Sequence, residues 1–101
     1  MRFGLSQQDI ERLQGTLASI PEIETAIVFG SRAKGDAERG SDIDLALQGK
    51  DVSEKTVLTL LNALEELPLP YFYDVVVYHD IQNQALIEHI NRVGGILYQR
   101  S

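Results

Sequence analysis

Thr25-Ala-Ile-Val-Phe-Gly-Ser31, then ten residues, then Asp42-Ile-Asp-Leu-Ala-Leu47 is the stretch on which the fold turns. Glu24 to Phe29 is β-branched and apolar and reads as a buried strand. Gly30-Ser31 ends it abruptly. The polar segment from Arg32 to Ser41 reads as a loop, and Asp42 to Leu47 as a second strand. Side chains alternate between the faces of a strand. Asp42 and Asp44 therefore share one face, and Ile43, Leu45 and Leu47 share the other.

Helical and strand periodicities extend outward from this centre. Ser6 is placed to cap a first helix, with Asp9 three residues later. Ile10, Leu13, Leu17 and Ile20 recur at helical spacing, and Pro21 ends the run. Downstream, Gly49 to Ser53 makes a turn, and Val57, Leu60, Leu61, Leu64 and Leu67 mark a second helix stopped by Pro68 and Pro70. Tyr71 to Tyr78 reads as a third strand. Gln82 to Arg92 reads as a last helix with Leu86, Ile87 and Ile90 inward, and Ile96 to Gln99 as a short extended tail. The order is an α/β (α+β) arrangement: a small mixed sheet of about three to four strands with helices packed on it. The chain of 101 residues suits one domain, 1–101.

Composition narrows the function. The chain is 44% hydrophobic and 24% charged, ordinary for a folded domain. With no cysteine, thiolate metal sites, disulfides and cysteine nucleophiles are excluded, and the chain is expected in a reducing cytoplasm. No apolar run reaches the roughly 20 residues that span a bilayer, and the N-terminus turns polar too early for a secretory signal. A net charge of −6 argues against long nucleic acid as ligand and for a small substrate or a protein partner.

Three features carry chemistry. Two like charges on one strand face repel unless a cation offsets them, and magnesium prefers carboxylate oxygens. Asp42-Ile-Asp44 alone is also compatible with a solvent-facing edge strand. Gly30-Ser31 lets backbone approach a ligand closely, and a helix starting near Ser31 would turn its N–H groups toward an anion. An ordinary turn has the same composition. Asp74 sits amid residues that favour a sheet, sharing a face with Val76 and Tyr78; it is either a metal-bound carboxylate or a strand-end residue wetted by solvent. Together they describe carboxylates able to hold two metal ions about 3.5–4 Å apart beside a phosphate turn. That is a geometry for attack of a hydroxyl on an α-phosphate.

Gly30-Ser-Arg-Ala-Lys-Gly-Asp-Ala-Glu-Arg-Gly-Ser-Asp-Ile-Asp44 resembles the nucleotidyltransferase superfamily that includes DNA polymerase beta and kanamycin nucleotidyltransferase, and more narrowly the minimal nucleotidyltransferase (MNT) domains. The resemblance runs from the first helix to the Gly-Gly-Ile-Leu-Tyr tail, with Lys34 where arginine is frequent. It implies that Asp42, Asp44 and Asp74 ligate two Mg2+ ions and that Asp74 helps deprotonate the acceptor. Gly30 and Ser31 would hold the phosphates of ATP, and Lys34, Arg32 or Arg39 would neutralise phosphate charge. It also implies an antitoxin that transfers AMP from ATP to a hydroxyl, most simply a tyrosine, of an all-helical HEPN-type toxin, in a homo- or hetero-oligomer. A module that masks its partner without chemistry, and a transferase acting on a small molecule, are the competing readings. His79 and His89 read as surface residues. Alternate members of Tyr71-Phe72-Tyr73 are expected to pack in the core.

Overall fold

The computed structural model describes residues 2–35 and 42–100. One four-stranded sheet, in the order β3-β2-β1-β4, carries helices on both faces. Its strands are β1 (Thr25–Phe29), β2 (Ile43–Gln48), β3 (Tyr73–Val77) and β4 (Gly95–Gln99). The helices are α1 (Gln7–Ala18), α2 (Gly30–Lys34), α3 (Glu54–Glu65) and α4 (Gln84–Val93), with a 3-10 turn over Tyr78–Asp80. The anticipated tail is thus the fourth strand. The segment read as loop after Gly30 begins as the short helix α2; the rest of that loop, 36–41, lies outside the described residues, and with it Arg39.

Local chemistry explains where the elements begin. Ser6 caps α1 by accepting from the Asp9 N–H at 3.1 Å. At the start of α3, the Ser53 N–H donates to Thr56 Oγ1 at 3.1 Å. Asn83 Oδ1 accepts from the Leu86 N–H and caps α4.

Alternation along the strands sorts the core into two layers. Ala26, Val28, Ile43, Leu45 and Leu47 face the larger cluster, which takes in Ile10, Leu13 and Leu17 of α1 and Leu60 and Leu64 of α3. Phe29 and Ala46 face the smaller cluster with Ile90 of α4. Tyr71 and Tyr73 pack against the larger core while Phe72 is 77% exposed, as alternation requires.

β1 pairs antiparallel with β2 and with β4, the latter through a register irregularity between Ala26 and Ile27. β2 and β3 run parallel, which demands a crossover; α3 supplies it. The chain ends are pinned. Arg2 donates to the Ile96 carbonyl at 2.7 Å, and Arg100 donates to the carbonyls of Ala18, Ile20 and Ile23.

Leu45 is fully buried at the centre of β2, whereas Leu58 on the outer flank of α3 is 63% exposed. Leu45→Ala should lower the free energy of unfolding by about 2–5 kcal/mol, and Leu58→Ala by well under about 1 kcal/mol. Urea titrations of the two variants check this.

Candidate active site

The glycine-serine turn and the acidic motif meet at one point. Phe29, the last residue of β1, pairs with Asp44 of β2. The chain then leaves the sheet through Gly30 at φ 73°, the left-handed region that glycine tolerates best. A Cβ on Gly30 would collide with Asp44 Oδ2. The carboxylate therefore lies directly over a residue that must lack a side chain, and Ser31 follows, exposed, in the first turn of α2.

Asp74 arrives from the other side. In the parallel ladder it is the register partner of Asp44, so both carboxylates project from the same face of adjacent strands. Asp42, exposed, precedes β2 by one residue and shares that parity. The three acids are not a buried set: Asp42 and Asp74 are exposed and only Asp44 is half-buried. Asp74 meets solvent at the second residue of β3.

Burial raises the Asp44 pKa above the ordinary aspartate range, and the charges of Asp74 and then Asp42 raise it further. The nearby His89 acts in the opposite direction and more weakly. His89 lies against the same turn, its Nε2 accepting a hydrogen bond from the Gly30 N–H at 3.1 Å.

His89 corrects the expectation of a surface residue. It is half-buried on α4, its ring set edge-on to Phe29 at 6.3 Å, and it holds the backbone at the turn. Its signal was present in the sequence. Leu86, His89 and Ile90 follow the i, i+3, i+4 pattern of one helix face. His79 is exposed and lies 3.6 Å from Asp80.

The basic residues divide. Lys34 is exposed on α2. Arg32 turns inward instead: it is buried, donates from Nη1 to the Phe3 carbonyl at 2.8 Å, and its guanidinium lies 5.1 Å from the Tyr71 ring centre. Its side chain thus ties the N-terminal segment and the segment leading into β3 to α2.

Among the described residues, no three acidic or histidine side chains are already drawn together as a metal cluster. The donor chemistry nevertheless fits a hard divalent cation. Three carboxylates occupy one face, and the middle one carries repulsion from both neighbours that a cation would cancel.

The sheet order and the short helix that follows the glycine-serine turn match the nucleotidyltransferase class of fold. The family model described as "Polymerase beta, Nucleotidyltransferase" matches residues 11–101, and the chain belongs to that family. No curated protein matches it by sequence. Among solved structures, it is similar to a chain of a toxin-antitoxin crystal structure with AMP-PNP (22% identity, TM-score 0.74, covering 92% of this chain and 75% of that one). It is also similar to a chain from the complex of tri-AMPylated Shewanella oneidensis HEPN toxin with MNT antitoxin (20% identity, TM-score 0.70, 95% and 74% covered). A third is the toxin-antitoxin MntA-HepT (20% identity, TM-score 0.63, 94% and 74% covered). At these identities the likeness establishes the shared fold.

Two outcomes test the geometry. Gly30→Ala should destabilise the fold by more than the roughly 1–2 kcal/mol of left-handed backbone strain, because of the added collision. In the Asp44→Ala background the collision is gone, so the penalty should shrink toward the strain alone. A double-mutant cycle in urea measures that coupling.

The second outcome is a pH dependence. A carboxyl with a raised folded-state pKa holds more protons than the unfolded chain between the two pKa values. The fold therefore loses stability as pH rises from the ordinary aspartate range through the raised value, and the loss persists above it. Without divalent cation, Asp44→Asn should melt higher than wild type at pH 7, and that advantage should vanish below the ordinary aspartate pKa. Melting curves in EDTA across pH check the sign.

Proposed function

We propose that this chain transfers AMP from ATP to a hydroxyl of a partner protein, and that it acts as the antitoxin of a HEPN-type toxin. The observation that carries the reading is the contact of the Gly30 turn with the Asp44 carboxylate. It sets an anion-accepting turn against carboxylates suited to a cation, as a nucleoside triphosphate with its metal requires. The fold similarity to toxin-antitoxin proteins, one solved with AMP-PNP and one with an AMPylated toxin, supports this choice of substrate and partner.

In this reading Asp42, Asp44 and Asp74 hold two Mg2+ ions, which supply charge for the phosphates when bound. Gly30 and Ser31 receive the terminal phosphates, and Lys34, exposed on the same short helix, neutralises their charge. Arg32 is assigned to holding α2 in place. Asp74, on the strand beyond Asp44, takes the proton of the attacking hydroxyl. His89 is a positioning residue that fixes the Gly30 N–H. We read residues 1–101 as one catalytic domain acting in the cytoplasm.

Co-expression with a HEPN-type toxin and mass spectrometry of the toxin test the reading. Wild type should leave adducts of AMP mass on a tyrosine. Asp42→Asn and Asp44→Asn should cut adduct formation at least about 100-fold, since charge stabilisation is the largest catalytic contribution. Ser31→Ala should cost only several-fold, the worth of one hydrogen bond of about 1 kcal/mol. Equal neutralisation of the toxin by wild type and Asp42→Asn, with no adduct, would replace the enzyme by a masking module. Label transferred to a small acceptor alone would replace the protein substrate.

A further inference from the structure

β3 is an outer strand of the sheet, and among the described residues no strand pairs with its free side. The Ile43 N–H donates to the Phe72 carbonyl at 2.9 Å. In the alternation of a parallel ladder, Phe72, Asp74 and Val76 then direct their backbone groups toward β2, and Tyr73, Val75 and Val77 direct theirs outward. Along this edge runs an open groove of about 570 Å3. Leu58 and Val57 of α3 flank it on one side, and Ile81 and Leu86 on the other. Its rim carries the carboxylates of Glu54 and Asp80. Asp74 adjoins the groove through Val75, so the groove and the candidate active site share one strand.

A strand edge with unused N–H and C=O groups and an apolar trough beside it is complementary to an extended peptide. The acidic rim and the net charge of −6 select a basic segment. They also disfavour a second copy of this chain, which would bring Glu54 and Asp80 against the same acids.

We infer that the acceptor hydroxyl is carried on an extended, basic-apolar segment of the partner protein that adds to the outer edge of β3, with the hydroxyl residue opposite Asp74. This inference rests on the function proposed above and specifies how the acceptor is delivered. Directly opposed residues on neighbouring strands share a face. The hydroxyl therefore emerges on the face that holds Asp44 and Asp74, while its chain neighbours point toward Leu58 and α3. Its oxygen attacks the α-phosphorus of the bound nucleoside triphosphate. An oxygen–phosphorus bond forms as the bond from the α-phosphorus to the α,β-bridging oxygen breaks. Pyrophosphate leaves, and the hydroxyl proton passes to the Asp74 carboxylate.

The test uses the full chain, 15N-labelled, and an end-capped peptide Lys-Lys-Val-Tyr-Val-Thr-Val-Lys-Lys, with a control in which every Lys is Glu. The Lys peptide should shift and protect from exchange the amides of Tyr73, Val75 and Val77, and the Glu peptide should not. In the presence of labelled ATP and magnesium, the peptide tyrosine should take up label. Leu58→Lys, on an exposed position outside the active site, should weaken peptide binding and labelling by about tenfold or more, as like charges are brought together. Its melting shift with Mg-ATP should stay that of wild type. Val75→Pro removes an outward N–H without touching the β2 ladder and should have the same effect. Peptide-induced shifts away from β3, equal binding of both peptides, or undiminished binding by Leu58→Lys would overturn the inference. So would self-association through β3 without peptide. Failure of the proposed function reads differently: no melting shift with Mg-ATP and no label on any acceptor, whatever the β3 amides do.

Discussion

The approach of the Gly30 α-carbon to the Asp44 carboxylate is the constraint on which the site depends. β1 ends at the residue paired with Asp44, so the chain must leave the sheet beside that carboxylate. Only a residue without Cβ passes there, and only a left-handed φ turns it into α2. The direction of α2 follows from that turn and is then fixed from two sides. On one side His89 of α4 accepts from the Gly30 N–H. On the other, Arg32 is held by the Phe3 carbonyl and lies over Tyr71. The exposed Ser31 and Lys34 stand on a helix that is anchored where it begins and through its buried face.

The parallel pairing of β2 and β3 does the same for the acids. An antiparallel hairpin would have placed β3 in a register set by a short turn. The α3 crossover instead brings Tyr73–Val77 alongside Ile43–Leu47 in the same direction, with Asp74 abreast of Asp44. Two aspartates at the same level of neighbouring strands are electrostatically unfavourable; burial first and then this repulsion raise the Asp44 pKa. The hydrophobic layer under α1 and α3 outweighs that repulsion. The site thus carries a local destabilisation that a bound cation would remove.

Much of this was legible in the sequence, for identifiable reasons. Alternation in Asp42-Ile-Asp-Leu-Ala-Leu47 fixes which side chains face the core, and the observed layers follow it. Gly30-Ser31 after an apolar run marks a strand end. Tertiary relations were less legible. Nothing local distinguishes Arg32, which folds inward onto Tyr71, from Lys34, which stays in solvent. The polar neighbours Glu88, Asn91 and Arg92 make His89 look like a surface residue; its spacing from Leu86 and Ile90 is the better guide. The tail became β4 because the second edge of β1 needed a partner, a demand visible only once the sheet order is known.

The two edges of the sheet show how the fold and its proposed activity fit together. Open edges invite pairing with other chains, and proteins usually blunt them with bulges, charges or covering segments. The β4 side carries such devices: an irregular register against β1, Arg2 bonded to the Ile96 carbonyl, and Arg100 tying down the end of the strand. Within the described residues the β3 side has no such cover on its outward backbone groups, and it keeps an apolar trough and the exposed Leu58. Acids at its rim resist pairing with another copy of the same acidic chain while leaving the edge open to a basic one. The strand with this uncovered edge is also the strand that carries Asp74. An added strand would place its own side chains beside that carboxylate, so recognition of the partner and delivery of its hydroxyl would be a single event.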